Sequence, residues 1–181
     1  MAAAFPLPLR PITFEQYEEF EAPDGFRDEL INGRIVVSPE AKPLHHEIAA
    51  NVFELLKKAA GRTRYVAQRM NLRFPNVNSM PSPDVFVVNK KEWIRARDAS
   101  VYPEGSEVLL AVEVISPSNR PKPLAEKVDI YVRHGLEAWV IDPKKQTVVV
   151  RRLRGITTLK KGDAVQWNGK EIPLAKIFRM T

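Results

Sequence analysis

The chain has no cysteine, which excludes disulfides and thiolate zinc sites and fits a reducing cytoplasm. It has no apolar stretch approaching the length of a membrane span, no internal repeat and no low-complexity segment. The opening MAAAFPLPLRP is mildly apolar, but Pro6 and Pro8 interrupt it and no basic region precedes it. It therefore makes a poor signal peptide and reads as an extended arm over 1–11. No amphipathic basic helix supports a membrane-surface role, and no base-reading helix is evident. What remains is a chain of 181 residues, 44% hydrophobic and 28% charged, long enough to bury a sizeable core as one domain spanning 1–181. Its formal charge of +6 and pI near 9.6 lean weakly toward a polyanionic partner such as nucleic acid.

Local patterns give an α/β order. TFEQYEEFE, residues 13–21, has Thr13 and Gln16 at capping-box spacing, which predicts a short helix. RDELINGRIVVS, 27–38, folds back at Asn32-Gly33 as a β-hairpin. LHHEIAANVFELLKKAAG follows Pro43 and stops at Gly61, with Leu44, Ile48, Val52, Leu55 and Leu56 at helical spacing. RYVAQRMNLRF (64–74) and DVFVV (84–88) read as strands, and the basic NKKEWIRARDASVYPEGS between DVFVV and the next strand reads as a long excursion. LAEKVDIYVRHG is a helix closing at Gly135, EAWVID a buried strand and TVVVRRL another. Shorter strands around Ile156–Leu159 and Ala164–Trp167 are expected to finish the sheet. The central order is helix, three strands, helix, strand.

One residue resists this pattern. EVLLAVEVISPSNRP, 107–121, has the apolar run of a strand buried on both faces, yet Glu113 sits inside it. A buried ionised carboxylate must neutralise, find a partner or bind a metal. Asp84, opening the DVFVV strand behind Ser82-Pro83, is a second carboxylate of this kind, and in adjacent strands the two could converge on one divalent cation. Mg²⁺ suits such hard oxygen ligands. Lys127, on the following helix, lies at the edge of the apolar face of Leu124, Val128 and Val132 and shares a helix side with Tyr131. It could lay its stem along the core and point its ammonium at the acids.

PSPD at 81–84, AVEVISPS at 111–118, EKVDIY at 126–131 and GLEAWVIDP at 135–143 together closely resemble the Uma-two family of restriction-endonuclease-like proteins, in the PD-(D/E)XK nuclease superfamily. ELINGRIVVSP at 29–39 and the His45-x-x-Ile48 step match its N-terminal signatures, so the resemblance covers about 12–180. It implies a restriction-endonuclease-like αβββαβ core with a mixed central sheet, an N-terminal hairpin and C-terminal strands. It further implies a metal-dependent DNA endonuclease using Mg²⁺, with Mn²⁺ as a substitute. The site would comprise Asp84, Glu113 and Lys127 with Glu29 and His45 nearby, Asp84 and Glu113 holding the metal. The implied partner is DNA, and a homodimer is left open.

Two positions depart from the pattern. The superfamily lysine two residues after the acid is here Ile115, so Lys127 would take its role from the helix. An acid that the family tends to carry four residues before that lysine is here Pro123. A degenerate nuclease fold, kept as a nucleic-acid-binding or protein-interaction module, is therefore the alternative. Ordinary readings also exist residue by residue. Asp84 could be a strand-edge residue after a proline turn, Glu113 a buried ion pair with Lys127, Glu29 a solvated hairpin residue and His45 a hydrogen-bonded core histidine. His46 and His134 are given no chemistry. The basic runs Lys90-Lys91, Arg95–Arg97, Lys144-Lys145, Arg151–Arg154 and Lys160-Lys161 form a phosphate footprint only if they gather at the cleft.

Overall fold

The computed structural model describes Pro8, residues 10–116 and residues 121–180. Most of the expected arm and part of the SPS segment lie outside the described residues. The chain begins with the capping box anticipated at Thr13: its side chain accepts from the Gln16 backbone and the Gln16 side chain accepts from the Thr13 backbone, opening α1 (Phe14–Glu18). β1 (Phe26–Ile31) and β2 (Arg34–Pro39) follow as an antiparallel hairpin in the two-residue register, with Glu29 opposite Val36. Asn32 and Gly33 both take positive φ, at 50° and 73°, as a twist-matched two-residue turn requires. Strand alternation then divides β1. Leu30 joins Tyr17, Ile35 and Met80 in a small cluster under α1, while Ile31 packs into the main body.

The main body is one six-stranded sheet. Its order is β3 (Arg64–Gln68), β4 (Val85–Asn89), β5 (Val108–Val114), β6 (Glu137–Asp142), β7 (Thr147–Arg152), β8 (Gly155–Leu159). Only β5 and β6 are parallel; every other neighbouring pair is antiparallel. A parallel neighbour needs a crossover connection, and α4 (Pro121–Arg133) supplies it. α2 (Pro43–Ala60) covers the opposite face and ends at Gly61, φ 74°. Alternation along the strands sends Val85, Val87, Leu110, Val112, Trp139 and Ile141 toward α2. Phe86, Ala111 and Ala138 face Val128, Tyr131 and Val132 of α4. The mixed sheet, its flanking helices and the α-β-β-β-α-β order match the expected architecture. No helix among the described residues is long and apolar enough to cross a membrane.

Three stretches differ from the sequence reading. The strand at 64–74 stops at Gln68, because Arg69 takes a positive φ of 47°; Arg73 and Phe74 then make only isolated bridges. The basic excursion contains a helix, α3 (Lys90–Ala99). Its apolar content is too low to show a period, and it is held instead by a bidentate Glu92–Arg95 pair at 2.6 and 2.7 Å and by Trp93 stacked on Tyr65, centroids 4.1 Å apart. Finally, β9 (Ala164–Trp167) does not join the sheet. It pairs with β10 (Lys170–Pro173) as a separate hairpin, followed by α5 (Leu174–Ile177). Val165, Trp167, Ile172 and Leu174 bury against the α2 side of the core, and that burial outweighs a place at the sheet edge.

Phe74 shows how tightly the α4 side is closed. Its ring lies 5.0 Å from that of His134 and 6.1 Å from that of Tyr131, and it also packs against Gly105. A Cβ at 105 would overlap the buried ring. Gly105→Ala is therefore expected to lose about 1–3 kcal/mol of stability, the usual cost of overpacking, read as a lower urea midpoint at unchanged m-value.

Candidate active site

Asp84 ends the Ser82-Pro83 turn and enters the sheet ahead of β4. Its N–H donates to the carbonyl of Val112 at 3.0 Å, and its Oδ2 accepts from the N–H of Val114 at 2.8 Å. Because Val85 pairs with Val112, this places Asp84 across from Glu113. Oδ1 meets His45 Nε2 at 2.9 Å and Arg27 Nη1 at 3.3 Å. Asp84 is 1% exposed, and burial alone would raise its pKa. The His45 hydrogen bond and charge, with Arg27 and Lys127, outweigh that and hold it at about 2.

Glu113 shares the alternation of Ala111 and so faces α4. Lys127 donates to its Oε2 and lies 2.8 Å from Oε1, while the Tyr131 hydroxyl donates to Oε1 at 2.8 Å. One helical turn separates the two donors, which is why both reach the same carboxylate. The Lys127 ammonium also touches Glu29 Oε1 at 2.7 Å, and that oxygen accepts from the N–H of Ser82 at 2.6 Å. Burial pushes Glu113 up to about 7, with Asp84 and Glu29 adding to the shift and Lys127 opposing it. Burial disfavours the Lys127 ammonium, but Glu113, Glu29 and Asp84 hold its pKa above the usual lysine value. Glu113 and Asp84 also help push the Tyr131 hydroxyl, already raised by burial, well above its usual range.

Asp84, Glu113, Lys127, Glu29 and His45 thus form one buried cluster drawn from the Ser82-Pro83 turn, β5, α4, β1 and α2. Sequence reasoning missed Arg27, which alternation places on the same face of β1 as Glu29, and it noted Tyr131 only as a neighbour of Lys127. The period-2 signal for Arg27 was available; its partner across 57 residues was not. Glu29 is buried rather than solvated. His45 is a buried, hydrogen-bonded histidine whose partner is Asp84, and its Nδ1 has no partner.

The donor chemistry of Asp84 and Glu113 suits a hard divalent cation. Yet the described residues contain no group of three His, Cys, Asp or Glu side chains arranged around an ion position. Lys127 and Arg27 already lie against the two acids, so an ion would have to exchange with those contacts. Within the basic runs, Arg95 pairs with Glu92, Arg97 with Asp98, Arg151 with Asp129 and Arg152 with Glu137, so these four are engaged elsewhere. Lys144 stands beside His45 on a neighbouring cavity.

The two acids give opposite pH signatures. Asp84, depressed to about 2, contributes stability that is present above its unfolded value near 3.8 and lost as pH falls toward 2. Glu113, raised to about 7, binds its proton more tightly folded than unfolded. Its contribution is full below about 4.5, declines as pH rises to about 7 and is constant above. Urea unfolding of wild type between pH 4.5 and 7.5 should show this decline. Glu113→Gln should flatten it, and an unchanged slope in that variant would assign the decline to other groups.

No curated protein matches the sequence. Among solved structures, the chain is similar to the crystal structure of a "putative nuclease" from Anabaena variabilis, with a TM-score of 0.79 at 18% identity, covering 93% of this chain and 98% of that one. The model of the Uma2 family, described as "Putative restriction endonuclease", matches residues 14–173. A match over most of the chain, on the fold and motifs above, makes this protein a member of the Uma2 family of restriction-endonuclease-like nucleases.

Proposed function

We propose that the protein is a divalent-metal-dependent endonuclease that hydrolyses DNA phosphodiester bonds. The observation carrying this reading is the buried cluster itself. Three carboxylates and two cations are gathered by separate elements at a place where apolar packing would hold the fold as well, since a buried ion pair adds little net stability. Such clusters of perturbed groups collect at functional sites.

Asp84 and Glu113 would hold the metal, Mg²⁺ or Mn²⁺. When bound, the ion supplies positive charge to the phosphate and lowers the pKa of the attacking water. Glu113 would hold the ion in its ionised form, with both oxygens accepting as they do from Lys127 and Tyr131. His45 keeps Asp84 in place: Asp84 is ionised and only accepts, so His45 Nε2 carries the proton it donates. Glu29 steadies the Lys127 ammonium through the contact that survives if Glu113 turns to a metal. Lys127 then takes the role that Ile115 cannot, stabilising charge on the phosphate or orienting the water.

A second reading is favoured by the saturation of both acids and by Pro123, in the first turn of α4, where the family tends to place an acid. Here the fold is retained as a binding module without cleavage. Calorimetric titration of Mn²⁺ and a nuclease assay over several DNA forms separate the two. The expected result is binding and cleavage by wild type, with both lost in Glu113→Gln. Lys127→Ala should keep metal affinity nearly intact and lower the rate by roughly 10² to 10³, the scale of one electrostatic stabiliser. Wild type that binds no metal would favour the module. A Lys127→Ala protein that cuts at the wild-type rate but melts much earlier would make the lysine a structural partner of Glu113.

A further inference from the structure

Beside the acids, the chain leaves a cavity of about 230 Å³ lined by Lys42, Leu44, His45, Ile115, Ser116, Asp142, Pro143 and Lys144. Its walls are mostly carbon. Leu44 is 41% exposed, a large apolar side chain left in water at the first turn of α2. Ile115 lines the cavity at the position where the superfamily lysine would stand, so an apolar surface replaces an ammonium. Among the described residues lining it, His45 is the one whose side chain has a fully buried polar atom, Nδ1, with no partner. Its Nε2 is engaged by Asp84, so Nδ1 is the ring nitrogen left to meet a ligand. Asp142 is spoken for: Oδ1 accepts from the N–H groups of Lys144 and Lys145 in its own turn. Lys42 and Lys144 are exposed on the rim.

This combination fits a flat apolar heterocycle better than an anion alone. An apolar cavity of about 150 Å³ already accommodates benzene, and every DNA base carries polar edge atoms that could pair with one buried ring nitrogen. Resting on the nuclease reading above, we infer that the cavity takes one unpaired nucleobase of the DNA strand. Leu44, Ile115 and Pro143 pack on the base, His45 Nδ1 pairs with its edge, and Lys42 and Lys144 meet the adjacent phosphates. The enzyme would then engage a strand whose base is already free or is turned out of the duplex, at the cost of unstacking it.

The test uses the metal-free full chain and thymidine 5′-monophosphate as the probe, followed by amide chemical shifts, with deoxyribose 5-phosphate as the control. The nucleotide should move the resonances of Leu44, Ile115 and Lys144 and bind at least roughly tenfold more tightly than the sugar phosphate, on the scale of a base stacked against a protein surface. Leu44→Glu, at an exposed position, should lower nucleotide affinity by roughly tenfold without changing the melting temperature. If that variant melts early, Leu44→Gln replaces it with the same expectation. Equal binding of the two ligands, no binding, or a Leu44 variant that binds like wild type would each overturn the base pocket. Nuclease activity is scored separately. A chain that cuts DNA but shows no base pocket keeps the nuclease and loses this inference, whereas one that binds the nucleotide but never cuts does the reverse.

Discussion

The Lys127 ammonium is the contact on which the rest of the site depends. It is 4% exposed and lies within 2.8 Å of two carboxylates from different parts of the chain, Glu113 in the middle of the sheet and Glu29 in the hairpin. Remove it and two buried acids lose their counterion, which is far costlier than never having buried them. The same contact explains how β1 is oriented. Glu29 reaches Lys127 and Arg27 reaches Asp84, so the site helps dock the hairpin on the body, beside the Leu30–Met80 bridge and the buried Leu30 and Ile31.

The surroundings keep those charges in register. Tyr131 holds Glu113 from one turn further along α4 and is itself packed by Phe74, whose room depends on the missing side chain at Gly105. Asp84 is fixed by a backbone N–H from the neighbouring strand and by His45 at the start of α2. The apolar core on both faces of the sheet therefore acts as the positioning frame for a polar cluster in its interior.

Much of this was legible because it violated a pattern. Glu113 interrupts an apolar strand, Asp84 follows a proline turn into one, and Lys127 sits at the edge of an apolar helical face. Each anomaly called for a partner: Glu113 and Lys127 find each other, and Asp84 finds His45 and Arg27. The Asn32-Gly33 hairpin, the Thr13 capping box and the Gly61 stop were legible as local chemistry. α3 was not, because its helix is held by Glu92–Arg95 and by Trp93 on Tyr65 rather than by a periodic apolar face. The fate of β9 was not, because only tertiary burial of Trp167 and Val165 takes it away from the sheet. Arg27 lay in plain view on the right face of β1, but an ion pair between residues 27 and 84 leaves no trace at short range.

The docked hairpin contributes Arg27 and Glu29, one charge of each sign, so it changes the shape of the site without altering its sum. With all three carboxylates ionised, they exceed Lys127 and Arg27 by a single negative charge, the same excess that Asp84, Glu113 and Lys127 would leave by themselves. On the proposed chemistry, a divalent cation reverses that excess to a single positive charge, and one phosphodiester group cancels it. Cation and substrate together would leave the interior neutral, whereas either alone would leave it charged, so each should bind more tightly in the presence of the other.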